Sequence, residues 1–327
     1  MMYFPTDPAQ VAALEGQVRA GGTDLTELRH KGLATGPVVD LRDVEGLDGV
    51  EVTEEGGLRI GSKVTLATIA ADPVVNKGYQ AVAQAAGGLA TPQIRARASL
   101  GGSLLQEVRC WYFRSPQFQC AKRGGVVCLA RRGDARFHSA YDKGQCIAPH
   151  PSTMAMALLA YGAQVEVDGE ALRTIPELLG PGAKASQTHA VAAGELVTAV
   201  VLPPPVPGEH AAYRRTIHRM RAEWPLVEAA VRVSADGELL SGMHIAVGGV
   251  ANRPLAFPEV AAQIDGKKAD DEAWNRILDN LAKGDLPQAA YKARLVPHTI
   301  RDTLAAALQG PPAEALIEAP TDEEAEP

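Results

Sequence analysis

Two glycine turns in matching local surroundings constrain this chain more than any other feature. "AGGTDL" (Ala20 to Leu25) follows a short predicted strand, Gln17 to Ala20, and opens a predicted helix, Leu25 to Lys31, with Thr23 and Asp24 at its cap. "RARASLGGSLLQ" (Arg95 to Gln106) sets Gly101-Gly102 about eighty residues further on, between small polar side chains. Glycine lets backbone approach a ligand closely, and free N–H groups at a turn suit a phosphate. Either turn alone is an ordinary strand-to-helix connection. Neither is a GxGxxG fingerprint, and no P-loop lysine follows. Two together suit a diphosphate clamped from both sides, as in a long dinucleotide such as FAD.

The remaining pattern is mixed. Pro8 to Glu15 reads as a helix, Pro37 to Leu41 as a strand, and Val50 to Ile60 as a hairpin around Gly56-Gly57. Leu66 to Ala71, Tyr79 to Ala86 and Ser152 to Ala160 read as helices, the last with Pro151 at its start. Ala163 to Val167 and Leu196 to Leu202 read as strands, with a short helix, Ile175 to Leu179, between them. Pro203-Pro204-Pro205 and Pro207 mark a domain edge. Ala229 to Ser234 and Leu239 to Val247 alternate as paired strands across Asp236-Gly237. Asp270 to Leu281 and Ala289 to Leu308 close the pattern as helices. From Pro311 to Pro327 the chain is proline-rich and acidic, and a disordered tail is expected there.

At 327 residues the chain is too long for one small core, and it reads as one large or two to three modest domains. Its net charge of −7 argues against a general nucleic-acid binder. A local basic cluster (Arg95, Arg97, Arg109, Arg114, Lys122, Arg123 and beyond) is either a solvated loop region or the surroundings of an anionic ligand or acidic partner. No run of about eighteen apolar residues occurs, so no membrane span is expected. MMYFPTDPAQ lacks the basic start and apolar core of a signal peptide. A cytoplasmic home is expected; export on a partner's signal leaves the periplasm open.

Five stretches in order, AGGTDL, ASLGGSL, PSTMAMALLAYGAQVEV, GELVTAVVLP and AYRR, resemble the FAD-binding subunit of the molybdenum hydroxylases. This is the family of xanthine dehydrogenase, aldehyde oxidoreductase and carbon monoxide dehydrogenase, and the resemblance runs from Val11 to about Leu308. It implies an α+β chain. A two-subdomain FAD-binding fold of the vanillyl-alcohol-oxidase (PCMH) type would occupy residues 1–203, divided near residue 50, and a smaller C-terminal α+β domain residues 208–310. By the same resemblance Ala20, Gly21, Gly22, Thr23, Asp24 and Leu25 would wrap the pyrophosphate. Ala98, Ser99, Gly101, Gly102 and Ser103 would form the second wall. Ser103 stands where many members carry Asn, and Thr153 where many carry Asp, which shortens one contact and removes one acceptor charge. Leu196 and Val197 fall where the family packs apolar side chains on the flavin. Arg214 matches a basic position near the ring, where it would stabilise negative charge on reduced flavin; read alone, it is equally a surface strand arginine.

All four cysteines, Cys110, Cys120, Cys128 and Cys146, fall in a stretch, 107–147, that most members of the family lack. The spacing, C-x9-C-x7-C-x17-C, matches neither a zinc ribbon nor a CxxC redox pair. Four thiolates suit zinc and an iron–sulfur cluster alike. "RCWYFR" and "QCIAPHPS" are similar to the insertions of 4-hydroxybenzoyl-CoA reductase and of bacterial aldehyde oxidoreductases whose flavin subunit carries an extra [4Fe-4S] cluster. That resemblance implies one cluster on the four cysteines near the flavin edge. Arg109, Arg114 and Lys122 would offset its charge, and Trp111, Tyr112 and Phe113 would shield it. His138 and His150 are read as structural.

The implied function is an oxidoreductase subunit that passes electrons between partner iron–sulfur clusters and an external acceptor. The molybdenum cofactor and [2Fe-2S] clusters would sit on a large and a small partner subunit, since no C-x4-C-x2-C run occurs here. No catalytic side chain is expected on this chain. Two alternatives stand beside this reading: a stand-alone FAD oxidoreductase of the vanillyl-alcohol-oxidase type, and a zinc-stabilised, non-catalytic assembly subunit.

Overall fold

Three separate sheets organise the protein, whose computed structural model describes residues 1–169 and 171–317. The first is small and parallel: β1 (Met2–Tyr3), β2 (Gln17–Arg19) and β3 (Val38–Asp40), with β3 in the middle. All three residues of β3 are buried, as suits a parallel strand covered on both faces. The helix Leu25–His30 makes the crossover from β2 to β3.

The second sheet is antiparallel: β4 (Val50–Val52), β5 (Leu58–Gly61), β6 (Gln164–Val167), β7 (Ala171–Thr174) and β8 (Val197–Leu202), in the order β4-β5-β8-β6-β7. β8 is last in sequence yet central in the sheet, which is why its VTAVVL run is buried at five of six positions. Helices Leu66–Ala71, Gln80–Gly88 and Thr153–Ala160 contribute to the core of this sheet. In Thr153–Ala160 seven of the eight residues are buried, so this helix is apolar all round rather than on one face. It is capped by Ser152, whose Oγ accepts from the Ala155 N–H at 3.0 Å.

The third sheet is antiparallel as well: β9 (Glu209–Thr216), β10 (Val227–Asp236), β11 (Leu239–Gly248) and β12 (Leu255–Ala256). β10 and β11 turn at Gly237, and the long helix Ala290–Gln309 packs on the sheet. Tyr213, Ala230 and Ala246 of this sheet share one core with the second sheet and its helices. The α+β class is as expected. No helix among the described residues is long and apolar enough to cross a membrane.

The cysteine-bearing stretch between helices Leu100–Leu104 and Thr153–Ala160 contains only two short 3-10 turns, Ala121–Arg123 and Leu129–Arg131. The tail corrects an expectation. Pro311 to Ile317 is ordered against the body: the Ala313 N–H donates to the Glu209 carbonyl at 2.7 Å, Lys77 pairs with Glu314, and Leu316 joins the main core. A proline-rich, acidic composition hid the two apolar anchors, Ala313 and Leu316. The acidic end, 318–327, lies outside the described residues.

Candidate functional site

The two glycine turns touch. A side chain on Gly21 would place its Cβ 1.6 Å from the Arg97 carbonyl oxygen, so only glycine allows the first turn to lie against the second. Gly22 follows with φ +70°, the left-handed region. The second turn is anchored to the main sheet by main-chain bonds: Gly101 N–H to Ser62 O and Leu100 N–H to Val64 O, both 2.9 Å. Ser99 Oγ accepts from Gly102 N–H at 3.3 Å. Ala20, Gly21 and Gly22 line one cavity of about 460 Å³, with Arg19, Arg42 and Arg97 around it. Thr23, Asp24, Ala98, Gly102, Ser103 and Thr153 line a second, of about 250 Å³.

The donor set and steric shape fit FAD. Three arginines line the first cavity; Arg19 and Arg42 pair with Asp40, which lines it too, and Arg97 has no ion pair among the described residues and is left to face a diphosphate. In the second, Ser103 Oγ is buried without a hydrogen-bond partner, a group that a ligand would satisfy. Not every expected residue reaches these cavities. Leu25 turns to an apolar cluster with Leu28, Val108 and Phe113. Gly101 packs on Ser62. Leu196 is buried with Val11, Val39 and Leu47, and Val197 lies in the main core, so neither lines a cavity. Arg214 points to the exposed face of β9, and its neighbour Arg215 lines the second cavity. Strand alternation separates the two, and AYRR offered no way to choose between them.

A buried carboxyl adjoins the second cavity. Thr153 Oγ1 donates to Glu228 Oε2 at 2.8 Å, and Tyr213 OH donates to the same oxygen at 2.9 Å. Burial pushes the Glu228 carboxyl up to about 7. Glu228 lines a third cavity, of about 360 Å³, that includes Cys110, Trp111 and His150. The second and third cavities share Arg109, Pro151, Glu223, Trp224 and Pro225. The Arg109 guanidinium lies 4.7 Å over the Trp224 ring. His150 is kept neutral by burial, which lowers it to about 3; its Nδ1 accepts from the Ser152 N–H at 3.3 Å, and its Nε2 has no partner. Glu228 escapes a sequence reading because a glutamate in an alternating strand ordinarily faces water.

The insertion is clamped to the first glycine turn. The Arg114 side chain is buried and reaches Asp24 Oδ1 at 2.7 Å, Glu27 Oε2 at 3.1 Å and the Val108 and Glu107 carbonyls. Arg109 also pairs with Asp24 and Glu27, and the Glu107 N–H donates to Asp24 Oδ2 at 2.8 Å. Asp24 thus binds the insertion while its neighbours form the turn. Lys122 donates to Thr188 Oγ1 at 2.6 Å rather than to a thiol.

Cys110, Cys120, Cys128 and Cys146 line one small cavity of about 20 Å³ with Val108, Tyr112 and Phe113. Main-chain N–H groups point at three of the sulfurs: Tyr112 and Phe113 at Cys110, Ile147, Ala130 and Arg131 at Cys128, and Ala148 at Cys146. The proximity of Cys146 draws the Cys128 thiol well below its ordinary range and raises that of Cys146. Burial pushes Cys110 up to about 11. His138 Nε2 lies 3.2 Å from Cys110 Sγ, and burial lowers this histidine to about 4. Among the described residues no three His, Cys, Asp or Glu side chains are gathered as closely as a preformed metal site requires.

Family models match almost the whole chain. Residues 8–205 match the FAD binding domain in molybdopterin dehydrogenase, and residues 215–307 the CO dehydrogenase flavoprotein C-terminal domain. The aldehyde oxidoreductase FAD-binding subunit PaoB of Escherichia coli is 35% identical over 298 residues, covering 88% of this chain and 90% of that one. The nicotine 6-hydroxylase medium subunit of Paenarthrobacter nicotinovorans is 28% identical, covering 89% of each. In fold, the chain is similar to reconstituted CO dehydrogenase from Oligotropha carboxidovorans, with a TM-score of 0.72, 19% identity and coverage of 94% of this chain and 96% of that one. Two touching glycine turns, cavities suited to a dinucleotide and both family domains in order make this chain a member of the FAD-binding medium subunits of the molybdenum hydroxylases, FAD-dependent oxidoreductase subunits.

Proposed function

We propose that the chain is the FAD and [4Fe-4S] electron-transfer subunit of a molybdenum-cofactor hydroxylase or aldehyde oxidoreductase complex. The observation that carries the finer part is the insertion: four thiols line one cavity, and main-chain N–H groups are aimed at three of the sulfurs. Such N–H groups stabilise thiolate ligands and tune a cluster. Zinc in the same place would be purely structural, whereas a redox centre beside a flavin has a use. Closing the thiols from their present separation onto a cluster is a local change, because the insertion contains only loops and short turns.

FAD, when bound, supplies the exchange between two-electron and one-electron chemistry. Gly21 and Gly22 would give the diphosphate close backbone approach, with Arg97 beside it. Ala98, Gly102 and Ser103 would form the opposing wall, supported from behind by Ser99 and Gly101, and Ser103 Oγ would gain its missing partner. Thr153 holds Glu228 in place through its hydroxyl. Arg215, rather than Arg214, would hold positive charge toward the ring. Leu196 and Val197 would act from behind, as core. The substrate chemistry would lie on a large molybdenum-cofactor subunit, with a small [2Fe-2S] subunit between, and an external acceptor would remove the electrons.

The test is metal analysis and EPR of anaerobically prepared, dithionite-reduced protein. About four irons and four sulfides per chain are expected, with a reduced-cluster signal that disappears in Cys120→Ser. Stoichiometric zinc without iron removes the cluster. Co-expression with neighbouring genes tests the complex: a tagged chain that emerges alone and fully active on an organic substrate removes the subunit reading.

A further inference from the structure

The third cavity is claimed by neither the glycine turns nor the thiols. Its volume of about 360 Å³ is that of a site for one small ring system. One wall is aromatic: Phe137 stands edge-on to Trp111, with centroids 6.4 Å apart, and to His218, 5.8 Å apart. Leu226, Pro149 and Pro225 line it as well. Its polar lining mixes donors and acceptors, with His150 and Glu228 among the buried groups. His150 is 5% exposed. Its Nδ1 accepts from Ser152, so the proton of the neutral ring is on Nε2, where it has no acceptor. An orphan of this kind costs about 1–3 kcal/mol until something accepts from it. The Glu228 carboxyl, raised to about 7 by burial, is a second donor in its protonated form. Of the cations at the rim, Arg109 is paired with Asp24 and Glu27, and Arg219 lies 3.9 Å from Glu223. A ligand here therefore needs a flat uncharged body and carbonyl-type acceptors.

We propose that this cavity binds the external oxidant, a small uncharged quinone, held against the Phe137 wall with its carbonyl oxygens toward His150 and Glu228. The assignment rests on the reading that the flavin occupies the second cavity, whose wall at Pro151, Trp224 and Pro225 the quinone would share. The quinone takes two electrons from the reduced flavin. It takes two protons, one released as the flavin is oxidised and one from solvent, and leaves as the hydroquinone.

Equilibrium dialysis of the full FAD-loaded chain against menadione, a methylated naphthoquinone, reads binding without turnover, and flavin absorbance is recorded for every sample. One saturable site per chain is expected. Phe137→Ala weakens it about tenfold, the equivalent of one lost aromatic stacking partner. Leu226→Trp fills the cavity and abolishes it. Both variants keep their flavin, since neither residue lines the second cavity. No saturable binding to a chain with full flavin overturns the quinone site and leaves the flavin reading standing. Binding that appears only after flavin is stripped, and is displaced by FAD, also overturns it, by giving the cavity to the flavin. A chain that takes up no FAD removes the reading on which the site rests.

Discussion

Around Gly21 and Arg97 the protein keeps its shape through main chain. Turn lies on turn, Gly101 and Leu100 bond to the segment after β5, and Ser99 caps the short helix that follows. Between Glu107 and Ile147 it keeps its shape through side chains: Arg114 on Asp24 and Glu27, Arg131 on Asp142, Tyr112 on the Asp134 N–H, Lys292 on the His138 carbonyl. In the first region a Cβ at Gly21 has no room. The second has main-chain bonds of its own, such as Ser139 N–H to Ile147 O, but side chains tie it to its surroundings, and its room for a methyl group varies: none at Gly125, Gly133 or Gly144, ample at Gly124. The two regions meet at Asp24.

The sharpest way to break this contrast is a methyl group in each region. Gly21→Ala drives a Cβ into the Arg97 carbonyl. FAD affinity should fall at least about tenfold, read as the flavin-to-protein ratio after gel filtration. Gly124→Ala meets nothing within 4 Å and has only its φ of +84° to resist it. It should cost about 1 kcal/mol and leave flavin content unchanged. Equal flavin loss in the two would erase the distinction.

Next in size is the clamp. Arg114→Met removes a buried guanidinium from two carboxylates that retain Arg109, and should lower stability by about 2 kcal/mol, below the cost of wholly orphaning a buried charge. The half-exposed Arg131 offers the control: Arg131→Met should cost about 0.5 kcal/mol. Urea midpoints measure both, and limited proteolysis should cut Arg114→Met within 107–147 first. Identical midpoints would show that the insertion is not held at Asp24.

A smaller effect is pH-dependent. Lys292 Nζ, fully buried, donates to the His138 carbonyl at 3.0 Å and to the Gly249 carbonyl, and burial lowers it to about 7 from an ordinary 10.5. Between those values the unfolded chain binds a proton that the native chain has released. This contribution to stability therefore rises from pH 7 toward 10.5. Lys292→Met should flatten that rise in urea midpoints; an unchanged slope would assign it to other groups. Smallest is the paired strand test: Arg214→Ala should leave FAD affinity unaltered, and Arg215→Ala should weaken it a few-fold, by fluorescence titration. The opposite ranking would restore Arg214 to the ring.

Legibility followed the same division. The helices Leu66–Ala71 and Ile175–Leu179 and the strand pair turning at Gly237 could be read from caps, prolines and alternation, since their causes are local. The two glycine turns were readable individually, but their contact at Arg97 depends on the intervening chain. What escaped was non-local. Leu196 and Val197 look like a ligand-facing apolar pair, yet β8 is drawn into the centre of its sheet and both are consumed as core. Arg215, which lines the second cavity, lies one residue out of phase with Arg214. Glu228 was lost because only Thr153 and Tyr213, each distant in space until folding, make its burial tolerable. His138 gave no sign that it would rest on Cys110.

The ordered segment at Pro311–Ile317 bears on how the protein is made. Leu316 packs beside Gly78, Ile317 lies over Gly56, and Ala313 bonds to Glu209 at the start of the last sheet. Residues translated at the outset therefore wait for residues translated some 240 to 260 positions later, the spacing of Gly78 from Leu316 and of Gly56 from Ile317. The N-terminal body cannot finish closing while it is still tethered to the ribosome by its second half. A nascent flavin-binding domain therefore stays uncovered at Gly56 and Gly78 until that segment has been synthesised.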